Sequence, residues 1–244
     1  MISEPTGRAA GPYDAAFLPR LQMSFRAARE PVTEPVSKFG GQPVWLEGPV
    51  WPVHPRTSEP LVFVGQFRVP GDEVRLAYLF LHEEDMDMGG AAPEDGEAVV
   101  LVQPGGRIPS FVSVGPPGTR GRTLWRWGPD DTEVPVEWLT DLTPLAPELD
   151  EAATQSAAFA RWLRGEGPKV ESPEGERPED FQGGEAVYPN HRAFGIDASW
   201  RFLCQFQDRG EDASDPFFLN FGYGSGFLFL SSDHLEGRFL SDCS

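Results

Sequence analysis

Lysine is nearly absent from this chain: of its 244 residues only Lys38 and Lys169 are lysine, so almost every positive charge is an arginine. Positive charge of any kind is scarce. Twenty Lys and Arg face 38 Asp and Glu, giving a formal net charge of −18. Binding to nucleic acid needs Lys and Arg to displace counterions from phosphates, so this balance argues against nucleic acid as a partner. It argues equally against an anionic membrane surface. A charged partner is expected to be cationic, a basic protein for example. Solubility alone is the competing explanation of the charge.

Cysteine is as sparse. Cys204 and Cys243 form no C-x-x-C motif, and two cysteines do not make a disulfide framework in a chain this long. No stretch approaches the ~18 apolar residues of a membrane helix. The N-terminal MISEPTGRAAGPYDAAFLPRL holds no basic segment followed by an apolar run, so no signal peptide is read and the cytoplasm is the expected location. Phosphate-binding and dinucleotide loops are missing. Gly222, Gly224 and Gly226 precede a strand rather than a helix, and GYGSG lacks the serine position of a nucleophile elbow. No cofactor is implied, and the enzyme question leans towards a negative answer.

What is abundant is glycine (27), proline (25) and phenylalanine (18). Turn residues at this density favour short strands joined by irregular connections over a helical bundle. Residues 1–35 read as an N-terminal extension. Within it Phe17, Leu18, Leu21 and Phe25 recur at helical spacing between Tyr13 and Glu30, which predicts a short helix. Residues 36–244 read as one domain. Strands are predicted at LVFVGQF (61–67), RLAYLFL (75–81) and EAVVLVQ (97–103), with FVSV (111–114) and TLWRW (123–127) as a further pair. A helix is predicted over 148–164, with Arg161 and Arg164 in its last turn and Gly165 as its cap. Strands return at WRFLCQF (200–206), PFFLNF (216–221), GFLFL (226–230) and RFLSD (238–242). The loops over 82–97 and 171–185 are acidic, with no role legible in them.

Three local signatures occur twice in the same order. Phe39-Gly40 followed by Trp45 matches Phe194-Gly195 followed by Trp200. Phe63-Val64-Gly65-Gln66-Phe67 matches Phe202-Leu203-Cys204-Gln205-Phe206. Tyr78–Leu81 matches Phe227–Leu230. The expectation is an internal duplication with halves at roughly 36–103 and 190–244. Simple alternation places Gln66 on the face of Val62 and Val64, and Gln205 on that of Leu203. Either the two amides form a shared polar centre where the halves meet, or each caps nearby loop backbone.

SKFGGQPVW, VFVGQF, YLFL, FLCQF, FGYGSGFLFL and FLSDCS together resemble the YwqG-like family of uncharacterised bacterial proteins over roughly residues 36–82 and 186–244. The K-x-G-G-x-P part is present as Lys38, Gly40, Gly41 and Pro43. Its second-half counterpart is reduced to HRAFGIDASW, with the single glycine Gly195. The resemblance implies a duplicated α+β fold, β-rich, with mostly antiparallel sheets. It implies no activity.

The residues read as ligand-binding candidates are Lys38, Trp45, Gln66 and Gln205. Trp45, Trp51 and His54 share a Gly/Pro-rich segment that either lines a groove or plugs the end of a sandwich. The weak metal candidates are His82 and Asp85, with Asp233 and His234 in the matching place of the second half; imidazole with carboxylate suits Zn or Mn. Strand-end charges are more often simply solvated. The function expected is a non-enzymatic binding or interaction module, with a small-ligand binder or enzyme using a cleft between the halves as the alternative.

Overall fold

The computed structural model describes residues 18–83, 93–173, 175–188, 196, 199–210 and 214–242. Branched and aromatic runs between Gly and Pro breaks become strands. These are β1 (Leu21–Ala27), β2 (Lys38–Gly40), β3 (Pro52–Val53), β4 (Val62–Arg68), β5 (Leu76–Leu81), β6 (Ala98–Gln103), β7 (Ser113–Val114), β8 (Trp125–Trp127), β9 (Glu133–Pro135), β10 (Glu137–Pro144), β11 (Phe181–Gln182), β12 (Arg201–Gln207), β13 (Ser225–Leu230) and β14 (Gly237–Asp242). Among the described residues one α-helix, α1 (Pro147–Leu163), lies between β10 and β11. Pro147 starts it without losing a needed donor, Glu148 and Asp150 sit at its positive end, and Arg161 sits at its negative end.

Ten strands share one antiparallel sheet in the order β14-β13-β12-β11-β1-β10-β2-β4-β5-β6. Its two edges approach each other. A Cβ on Gly237 of β14 would lie 2.2 Å from Val100 Cγ1 of β6. Beyond β6, the Arg107 N–H donates to the Leu235 carbonyl at 2.7 Å. The sheet is therefore a near-closed barrel, which shields two otherwise exposed edges.

The strand order reads alike from either end. In β4–β5, Phe63 pairs with Phe80 and Gln66 with Tyr78, with a bulge between Phe63 and Gly65. In β12–β13, Phe202 pairs with Phe229 and Gln205 with Phe227, with a bulge between Phe202 and Cys204. The third strands follow suit: Tyr78 pairs with Leu101, and Phe227 with Leu240. At the middle, β1 and β10 pair in an antiparallel ladder centred on Ser24 and Asp141. Each of them has its other edge on the opposite group of strands, β1 on β11 and β10 on β2.

Packing follows the same plan. The barrel interior holds Phe39, Val64, Phe67, Leu79, Cys204, Phe206, Leu228 and Phe239 in one cluster. Outside β4–β6, Phe63, Tyr78, Phe80 and Leu101 pack beneath Trp45 and Trp51. Outside β12–β14, Phe202, Phe227, Phe229 and Leu240 pack beneath Val187, Tyr188 and Ala153 of α1. Strands β4–β6 and β12–β14 thus have two apolar faces, which is why β5 and β6 read as continuous rather than alternating apolar runs.

Several sequence-based expectations need correction. Leu21–Ala27 is a strand in the middle of the sheet, not part of a helix, so residues before 36 are no mere extension. Leu21 and Phe25 suit both periods, but the buried Met23 between them fits only alternation. The remainder of the predicted helix, up to residue 17, lies outside the described residues. FVSV and TLWRW do not pair with each other: β7 pairs with β3, and β8 with β9. PFFLNF forms no ladder. Its backbone joins the rest through the Leu219–Arg209 bridge and the Phe218 N–H donated to the Trp125 carbonyl at 2.8 Å, while Phe217, Leu219 and Phe221 belong to the interior cluster.

Candidate functional site

The bulges decide what the two buried glutamines do. An extra residue in a strand reverses the phase of alternation after it. Gln66 therefore shares a face with Phe63 and Tyr78, not with Val62 and Val64, and it points outward beneath the 36–46 segment. Its Oε1 accepts from Val44 N–H at 2.8 Å and its Nε2 donates to the Val36 carbonyl at 2.9 Å. Gln205 repeats the arrangement. Its Oε1 accepts from Val187 N–H at 2.8 Å, and its Nε2 donates to the Glu179 and Pro178 carbonyls at 3.4 Å. Each amide pins its own covering segment; the structure does not bring the two together.

The pinned segments match as well. Gly40 and Gly41 have φ of +68° and +64°, and Gly183 and Gly184 have φ of +86° and +67°, values that L residues with a Cβ rarely adopt. Each pair of glycines stands at or just past the end of the short strand beside a glutamine strand, between the two stretches of backbone that the glutamine holds. Gly183-Gly184 thus stands, counted from the other end of the sheet, where Gly40-Gly41 stands. Phe194 and Gly195, expected in that place, lie outside the described residues. Trp45 lies over Tyr78 at 4.9 Å between ring centroids, and Tyr188 lies over Phe227 at 4.8 Å.

Lys38 departs from this pairing, because Phe181 stands in its matching place. Its side chain is fully buried and forms an ion pair with Glu137. Its ammonium also donates to the Gln42 carbonyl at 2.6 Å. Burial lowers the Lys38 pKa, and the hydrogen bond and charge of Glu137 oppose that shift. Gly41 makes the approach feasible, since a Cβ there would lie 2.2 Å from Glu137 Oε1. Glu137 carried no sequence signal: it belongs to β10, remote in sequence, and only the sheet order brings it to Lys38.

The metal candidates fall in two places. His82 lies beside His54, with ring centroids 4.6 Å apart, and His54 Nε2 is 3.0 Å from Glu97 Oε1. One ligand atom from each of His54, His82 and Glu97 lies within 4.8 Å of the others. Arg56 also reaches Glu97, at 2.6 Å. The hydrogen bond from His54, and then that from Arg56, hold the Glu97 carboxyl below its usual range against the effect of burial. Asp233 is held elsewhere, by Arg107 and Ser231 at 2.7 Å each, and these bonds keep its carboxyl well below the usual range. Burial pushes the His234 imidazole down. Asp85 lies outside the described residues.

One surface pocket, of about 380 Å³, is lined by Leu18, Pro19, Arg20, Asp150, Thr154, Gly184 and Glu185. Arg20 donates to Asp150 at 2.8 Å and Thr154 at 3.0 Å, while its buried Nε has no hydrogen-bond partner. No helix among the described residues is long and apolar enough to cross a membrane. No family model, curated protein or solved structure matches this chain.

Proposed function

We propose that this chain is a non-enzymatic binding protein of the YwqG-like type, built on an internal duplication, that engages a basic protein partner. The repeated register, the repeated bulge and the repeated glutamine-to-segment hydrogen bonds support the duplication. The residues that the sequence singles out, Lys38, Gln66 and Gln205, are buried and bonded to the protein's own backbone and side chains. That suits a scaffold better than a set of groups waiting for substrate.

The observation that carries the reading is how the positive charges are disposed. Arg26, Arg56, Arg107, Arg122, Arg161 and Arg164 each lie against a carboxylate at the surface. Arg209 and Lys38 are consumed in buried pairs. With the cations so engaged, the excess of 18 acidic groups is left to set the field around the molecule. Such a field speeds encounter with a cationic surface.

Affinity capture over a series of salt concentrations tests this, followed by titration of each purified partner. Basic proteins should bind at low salt and be released as it rises. Binding unchanged at ~1 M salt, where charges are screened beyond ~3 Å, rules out recognition by charge.

The pocket beside Arg20 favours a second reading, a small-ligand binder. It lies where the chain entering β1 meets the Gly183-Gly184 turn, at the junction of the two groups of strands. The Arg20 guanidinium that lines it is a cation suited to a carboxylate or phosphate that displaces Asp150. A metabolite thermal-shift screen repeated on Arg20→Gln distinguishes this reading: a stabilising anion should lose its effect in the variant.

A further inference from the structure

We propose that His54, His82 and Glu97 form a binding site for one divalent transition-metal ion of the zinc class. The three residues come from different segments: His54 follows β3, His82 follows β5, and Glu97 precedes β6. Each backbone is anchored without any ion, and two of the three are tied to each other. The His54 N–H donates to the Glu59 carbonyl at 2.8 Å, and the His82 N–H donates to the Glu97 carbonyl at 2.8 Å. The Glu97 N–H donates to Asp95 Oδ1 at 2.9 Å. Ligands presented on fixed backbone lose little freedom on binding.

Two imidazoles and one carboxylate suit zinc-like ions better than Mg²⁺ or Ca²⁺, which prefer oxygen alone. Bonds of ~2.0–2.2 Å in a tetrahedral shell place neighbouring ligand atoms about 3.3 Å apart. His54 Nε2 and Glu97 Oε1, at 3.0 Å, already stand at that spacing. His82 is half-buried and closes its remaining gap by side-chain rotation. Three protein ligands leave a fourth position open to water or to an anionic ligand.

Two groups must give way. The Arg56 side chain, 79% exposed, now donates to Glu97; the incoming cation replaces its charge and it swings into solvent. His54 Nδ1 accepts from the Thr57 N–H at 3.1 Å, so Nε2 carries the hydrogen and donates to Glu97. On binding, that hydrogen leaves Nε2 and Nδ1 gains one, through solvent, so the ring stays neutral. Nδ1–H then donates to Thr57 Oγ1, now 3.2 Å away, as the outer partner that orients a ligating imidazole. The Thr57 N–H, and the Arg56 N–H that also donates to Nδ1 at 3.3 Å, lose their acceptor, which sets a limit on affinity.

The corresponding place in β13–β14 supplies a control. The Ser231 N–H donates to the Glu236 carbonyl at 2.9 Å, matching the His82–Glu97 bond. There a serine replaces the second histidine, and Arg107 occupies Glu236 at 2.7 Å.

The test uses the full chain, stripped with chelator and titrated with Co²⁺ and then Zn²⁺ in excess Mg²⁺, which saturates the acidic surface. One equivalent of Co²⁺ should give a saturable visible band that Zn²⁺ abolishes. His82→Ala and Glu97→Gln should each weaken binding by about tenfold or more, while Glu236→Gln leaves it unchanged. Melting curves without metal establish that each variant is folded, and either variant suffices alone. Absence of a saturable band, or a band unaffected by both substitutions, overturns the proposal.

Discussion

Gln66 and Gln205 each satisfy a backbone N–H and at least one carbonyl of the segment above them. Replacing either by Leu leaves those groups buried without partners, at a cost of about 2–3 kcal/mol. Urea unfolding should show similar losses for the two variants; a large loss in only one would separate their roles. Lys38→Met leaves Glu137 without its cation and should cost about 3–5 kcal/mol, a loss that the double variant with Glu137→Leu partly restores. Tyr188 gives a pH dependence. Burial pushes its phenol from 10.0 up to about 12. The neutral form is favoured in the folded state, so its contribution is whole below about pH 10 and lost as pH rises towards about 12. Absorbance at 295 nm should follow this late titration, and Tyr188→Phe should reduce the alkaline loss of stability. Both glutamines are legible in the sequence as polar residues among apolar neighbours. The side of the strand on which they lie is not, because a bulge has no signature there beyond Gly65 in one strand, and Cys204 takes its place in the other. The gathering of His54, His82 and Glu97 was equally hidden, since it depends on where three separate strand ends meet.

Strands that carry continuous apolar runs were the easiest elements to read, and β4, β5, β6, β12 and β13 all lie where those runs predict them. Helix α1 was similarly plain, because acidic residues, arginines and Gly165 mark its two ends. β10 escaped notice: EWLTDLTP mixes apolar and polar residues, and its half-buried face is defined only by its neighbours β1 and β2. The seam between the sheet edges makes a prediction at this scale. A side chain at position 237 collides with Val100, so Gly237→Val should destabilise by about 1–3 kcal/mol. Adding Val100→Ala should recover part of that loss. A double-mutant cycle by chemical denaturation measures the coupling, and simple additivity would mean that the two edges do not press on each other.

At the scale of the whole molecule, the charge excess and the sheet order act on different things. The first sets the field around the molecule, on which the proposed recognition depends, and the second governs how the chain can fold. Rates of association with a basic partner should drop steeply with ionic strength while dissociation changes less, which stopped-flow mixing resolves. The sheet order has a further implication for synthesis on the ribosome. β1 emerges well before either of its neighbours, because β10 and β11 both lie more than a hundred residues downstream. At ~5–20 residues per second, the nascent chain carries a bare strand with one apolar face for roughly 6–25 s before either neighbour exists. Folding of the barrel's centre thus waits for translation, and that interval is when a holding chaperone has most to protect.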